Sequence, residues 1–68
     1  MKSISGKVLC QILEAKGREL KRITGSHHIY AKLGITARIS VPVHGNKHLK
    51  LGLQKHLMKL GEIDENAL

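Results

Sequence analysis

Apolar positions along the chain change their period twice. Val8, Leu9, Ile12 and Leu13 recur at i, i+1, i+4 and i+5, with Ala15 extending the same side, which makes one stripe of a 3.6-residue helix. Ser3 or Ser5 can cap this helix, and Ile4 stands just outside as a hydrophobic staple. Lys16 suits the negative end of the dipole, and Gly17 offers a left-handed cap. The spacing predicts a helix over residues 5–16. The period then falls to two. Residues 19–23 alternate weakly around Leu20 and Ile23, residues 27–32 form a second stretch, and residues 36–43 form the clearest one. In the last, Ala37, Ile39, Val41 and Val43 share one face while Arg38 and Ser40 share the other. Thr24-Gly25-Ser26 and Gly34 supply turns, and Pro42, which cannot donate to a ladder, marks an edge or a strand end. After a turn-rich loop at 44–48 the helical period returns. Leu53, Leu57 and Leu60, with Met58 beside them, predict a helix that starts between Leu49 and Gly52 and stops at Gly61. Asp64 can cap a short turn in the tail 62–68, where fraying is expected.

This order is α-β-β-β-α. It predicts a single α+β domain over residues 1–68: a three-stranded antiparallel sheet with both helices packed on one face. Burying Leu13, Ile39, Val41, Leu53 and Leu57 together requires that layering. A 68-residue chain removes only about 60% of its unfolded surface from water, so the core is small.

Charge narrows the functional classes. Twelve Lys and Arg against five Asp and Glu give +7, with the basic residues spread from Lys2 to Lys59. A polyanion, nucleic acid first, is the expected partner. The lone Cys10 falls inside the first helical stripe and reads as a buried, reduced core thiol. No apolar run approaches the ~18 residues of a membrane span and no signal-peptide pattern opens the chain, so a cytoplasmic protein with no membrane contact is expected.

Five histidines invite a metal reading that their spacing opposes. His27 and His28 are adjacent and would face opposite ways on a strand, and no Cys-x-x-Cys or His-Glu-x-x-His pattern exists. No metal and no cofactor are expected. The glycines are scattered as caps and turns rather than gathered into a phosphate loop, and the single Asp, Asp64, sits in the tail, which excludes a Ser-His-Asp set. What remains is acid–base chemistry by histidine on a phosphate ester. Cleaving RNA takes a base for the 2′-hydroxyl, an acid for the leaving oxygen, and positive charge for the developing phosphorane.

Four segments carry a resemblance: Leu13-Glu14-Ala15-Lys16-Gly17, Arg22-x-x-Gly25-Ser26-His27-His28-Ile29, Ile39-Ser40-Val41-Pro42-Val43-His44, and Leu49-Lys50-Leu51-Gly52 before a Leu-rich helix. Together they resemble the HicA-type toxins, over about residues 5–61. The resemblance implies a fold similar to the double-stranded-RNA-binding domain, mRNA interferase (endoribonuclease) activity, and inhibition by a small antitoxin protein of the HicB-like kind. It points to His27, the first histidine after Gly25-Ser26, as the catalytic residue. His28, His44 and Ser26 are candidates for supporting roles. Two positions depart from the family pattern: Arg18, where an aromatic is frequent, and Gly52-Leu53, where Gly-Thr often enters the last helix.

Strand parity puts His27 on a face with Ile29 and Ala31, expected toward the helices, and His28 with Tyr30 and Lys32. Lys21, Arg22, Lys32 and Arg38, with Lys47 and Lys50, are the residues expected to bind RNA phosphates. The chain is expected to be a monomer alone and a hetero-oligomer with its antitoxin. That antitoxin should be acidic, with carboxylates near Lys21, Arg22 and Lys32 and an apolar anchor near Tyr30. The alternatives are a non-catalytic RNA-binding module of the same fold and a basic adaptor for an acidic protein.

Overall fold

A computed structural model describes residues 1–68. Helix α1 (Gly6–Ala15) is followed by strands β1 (Glu19–Thr24), β2 (His27–Lys32) and β3 (Ile35–Pro42), then helix α2 (Leu51–Leu60) and a short 3-10 turn (Glu65–Ala67). The strands form an antiparallel sheet in the order β1-β2-β3, and both helices lie on one face of it. The α-β-β-β-α order and the layering are as the hydrophobic pattern predicts.

Helix α1 starts where Ser5 Oγ accepts from the Val8 amide at 3.2 Å, and it ends at Lys16, before Gly17 turns left-handed at φ 90°. Its inward stripe is Leu9, Cys10 and Leu13. These meet Tyr30, Ile39 and Val41 from the sheet and Leu57 and Met58 from α2 in one core cluster. Full burial of a Leu or Ile contributes about 1.5–3 kcal/mol, so this cluster is what holds a fold of this size. Gly6 is buried against the end of β3, where a Cβ would strike the Pro42 carbonyl oxygen. Only glycine fits there.

Helix α2 presents a different face from the one its leucines suggest. Gln54, Leu57 and Met58 are buried, whereas Leu53 and Leu60 are exposed. The inward stripe is rotated by one position because the N-terminal segment needs a polar partner. The Ile4 amide donates to Gln54 Oε1 at 3.0 Å, and Gln54 Nε2 donates to the Lys2 carbonyl at 2.7 Å. A buried amide with both ends bonded carries no desolvation deficit, so Gln54 displaces Leu53 from the core. The Leu49 amide donates to the Ile4 carbonyl at 2.9 Å and completes the clamp. Lys50 stands at the N-cap of α2 with no side-chain cap bond. Arg18 is buried under the other end, where its Nη2 donates to the Leu60 carbonyl at 3.0 Å. The tail is ordered by Ile63 and Leu68 against the core, and Asp64 accepts from the Asn66 amide at 2.8 Å, as a cap should.

Candidate functional site

The sheet has a covered face and an open one. Tyr30 pairs with Ile39 and His28 with Val41, and the buried members of these pairs point to the helices. Tyr30, rather than Ile29 and Ala31, sets the parity of β2. Its ring enters the core and its hydroxyl donates to Glu14 on α1. The expectation that His27 turns toward the helices is therefore overturned. His27 stands exposed on the open face and His28 is half-buried on the covered one. The expected apolar anchor at Tyr30 fails for the same reason, because that ring is only 1% exposed.

His27 pairs with Thr24 across the β1–β2 turn and with Pro42 on β3. Gly25, at φ 60°, makes the turn, and the Ser26 carbonyl accepts from the Val43 amide at 2.7 Å, fixing the end of the hairpin to β3. The contribution of Ser26 here is through its backbone. One ring nitrogen of His27, Nδ1, lies 3.2 Å from Ser40 Oγ. That bond leaves Nε2 free toward solvent. When Nδ1–H is the donor, Nε2 carries the lone pair that a base needs. Ser40 is a site residue that the pattern of β3 placed on the open face without signalling a partner for it.

Basic side chains gather on the same face. A hollow of about 500 Å³ is lined by Lys21, Arg22 and Arg38 with Ile29 and Ser40. Neighbours in a strand normally face opposite ways, yet Lys21 and Arg22 line one hollow. The register slips between Leu20 and Arg22, and such a bulge inserts an extra residue and swings it round. Lys21 also lies 3.2 Å from Glu19. An exposed ion pair of this kind contributes at most about 1 kcal/mol, so Lys21 is readily released to a phosphate. A second hollow of about 490 Å³, at the β2–β3 turn, shares Lys21 and Arg38 and adds Lys32.

A third hollow, of about 310 Å³, lies beyond the end of β3 and is lined by Pro42, His44, Lys47, His48 and Lys50 among others. It touches the strand partner of His27, Pro42, whereas the open-face hollow touches its hydrogen-bond partner, Ser40. His27 itself lines neither hollow, but each touches one of its neighbours. His44 is exposed in the loop hollow, and His28 belongs to the other face and does not join the site. No three His, Cys, Asp or Glu side chains converge as metal ligands would.

Cys10 and Tyr30 are titratable groups in contact within the core. Burial first, then the neighbouring Glu14 carboxylate, pushes the phenol of Tyr30 well above its usual range. Burial likewise raises the Cys10 thiol. Both lie under the sheet, apart from the open face.

Comparison by sequence supplies the family. A family model described as HicA toxin of bacterial toxin-antitoxin matches residues 6–63. The chain belongs to the HicA toxin family. No curated protein matches it significantly. Membership makes it the toxin member of a toxin–antitoxin pair, with an antitoxin as its partner. No helix is long and apolar enough to cross a membrane.

Proposed function

We propose that this toxin is a metal-independent endoribonuclease that cleaves mRNA, with His27 as its acid–base group. The observation that carries the reading is the position of His27: exposed on the open face, its Nδ1 at 3.2 Å from Ser40 Oγ, which lines the hollow of Lys21, Arg22 and Arg38. With Nδ1 tied to Ser40, Nε2 takes the proton of a 2′-hydroxyl as that oxygen attacks the adjacent phosphorus. The 5′-oxygen leaves with a proton from the imidazolium or from solvent. Arg22 and Arg38 supply the positive charge that a phosphorane needs. Lys21 and Lys32 extend the phosphate path in one direction, and His44, Lys47 and Lys50 in the other.

The substrate favoured by this geometry is single-stranded. A duplex footprint of about 16 base pairs, on the order of 45 Å, exceeds the 29 Å longest dimension of the molecule. The antitoxin, an acidic HicB-like protein, would inhibit by covering the open face in a hetero-oligomer, with carboxylates against Lys21, Arg22 and Lys32.

The test is cleavage of a labelled single-stranded RNA, with and without EDTA, by wild type and His27→Ala. Cleavage that survives EDTA and is lost in the variant supports the proposal. Wild-type binding without cleavage would leave an RNA-binding module, and loss in EDTA would return a metal to the mechanism. For the partner, protection of His27 from diethyl pyrocarbonate in the toxin–antitoxin complex is expected, and unchanged reactivity would overturn inhibition by covering.

A further inference from the structure

The hollow at the β2–β3 turn differs in kind from the other two. Its lining combines Lys21, Lys32 and Arg38 with Ala31, Leu33, Ile35 and Thr36. Leu33 is fully exposed, the most exposed large apolar side chain in the molecule. It stands at the tip of a two-residue turn beside Gly34, which has a φ of 85°. Turn tips usually carry polar residues, and nothing in the fold uses this leucine. Ala31 forms part of the floor because it shares the parity of His27 and Ile29 on β2, and the extra residues of the register slip beside it lie on β3, between Ile35 and Ile39. Glu19, the one acid in the lining, lies 3.2 Å from Lys21.

We propose that this hollow is a nucleobase subsite. It would receive an unpaired base of the same RNA strand whose phosphate lies at His27, with Leu33 as the apolar surface under that base. The inference rests on the ribonuclease reading above. The occupant follows from continuity: Lys21 and Arg38 line both this hollow and the phosphate-binding one, so a strand held by them at its backbone reaches Leu33 with its next base. Along β2 the distance from His27 to the turn is roughly 17 Å at strand rise, a span of about two or three nucleotides of an extended strand. An unpaired base, flat and neutral with polar edges, matches a lining that mixes aliphatic side chains with Lys21, Lys32, Arg38 and the Glu19 carboxylate. With no aromatic on the open face, stacking falls to Leu33 and to the guanidinium of Arg38, which also serves as a platform for bases.

The experiment uses single-stranded RNA oligonucleotides with one abasic nucleotide moved along the strand, cut by wild type and by Leu33→Ser. Full exposure of Leu33 makes the substitution neutral for folding, and a melting curve checks this. The expected result is a drop in kcat/KM of about tenfold, within the range of single-base stacking, when the abasic position lies two or three nucleotides to one side of the cut. Leu33→Ser should show that lowered rate with the intact strand and no further drop with the abasic one. A flat abasic scan, or full abasic sensitivity in Leu33→Ser, overturns the subsite. If wild type cuts no RNA, the ribonuclease reading fails. The subsite is then judged by fluorescence anisotropy on the same oligonucleotides, where a Leu33-dependent abasic penalty on Kd supports it and an equal Kd overturns it. Weakened antitoxin binding in Leu33→Ser, with RNA kinetics unchanged, would assign the leucine to the protein interface and also overturn it.

Discussion

His27 and His28 are adjacent in the chain and lie on opposite faces of one sheet. Below it, Tyr30, Ile39 and Val41 are packed under two helices, and the Gln54 amide and the Tyr30 hydroxyl that enter there are bonded. Above it, the same strands present His27, Ser40, Arg22 and Arg38 to water. Burial decides stability on the first face and leaves the second free to carry charge. The difference teaches that a strand period of two lets 20 residues of sheet serve two purposes, provided one large residue fixes which face is inside. Here that residue is Tyr30.

Paired substitutions break or sharpen this division. The largest expected effect is on cleavage. His27→Ala should lower the rate by about 10²–10⁴-fold with an unchanged melting temperature. His28→Ala should keep cleavage near wild type and cost about 1 kcal/mol of stability. The reverse outcome would exchange the roles of the two faces. Next come the isoleucines, each of which strands place opposite in kind. Ile39→Ala should cost about 2–4 kcal/mol in a denaturant titration, as cavities do, and Ile29→Ala on the open face well under half of that. Equal costs would mean that the open face is covered in solution.

A smaller effect is expected at Ser40. Ser40→Ala removes one exposed hydrogen bond, at most about 1 kcal/mol, and should slow cleavage about fivefold while displacing the pH–rate profile, with Tm lowered by no more than a few degrees. A slower rate with an unmoved profile would limit Ser40 to RNA contact. The smallest effect is ionic. Arg22→Gln and Arg38→Gln should each flatten the salt dependence of RNA binding by a log–log slope of about 0.7, whereas Lys59→Gln on α2 should leave it unaltered. An unmoved slope for both arginines would place the RNA path along Lys47 and Lys50.

The order of elements was legible because apolar period and turn residues agree throughout, from the Ser5 cap to the three strands. What failed was orientation. Ile29 and Ala31 outweighed one tyrosine in the parity of β2, although the tyrosine buries more surface and finds an acceptor in Glu14. In α2 three leucines concealed that Gln54 faces inward, since the backbone groups it satisfies lie some 50 residues away. The two register slips in the sheet have no glycine or proline to mark them. Without the slip after Leu20, Lys21 and Arg22 could not be assigned to one hollow. The histidine itself was legible through Gly25-Ser26-His27, but its partner Ser40 depends on a diagonal across two strands.

The Tyr30–Glu14 bond also gives the molecule an optical reporter. The chain has one Tyr and no Trp or Phe, so its near-ultraviolet absorption and its emission come from a single ring at the junction of α1 and the sheet. A phenol bound to a carboxylate emits weakly, and release of α1 should brighten it. The same ring reports alkaline unfolding. Its folded pKa is raised, so the stability it contributes is complete below the ordinary value of 10.0 and declines as the pH climbs past it. Phenolate absorbance should therefore appear together with loss of helical circular dichroism rather than ahead of it. A phenolate signal that precedes that loss would mean that α1 lifts from the sheet while the rest of the fold persists.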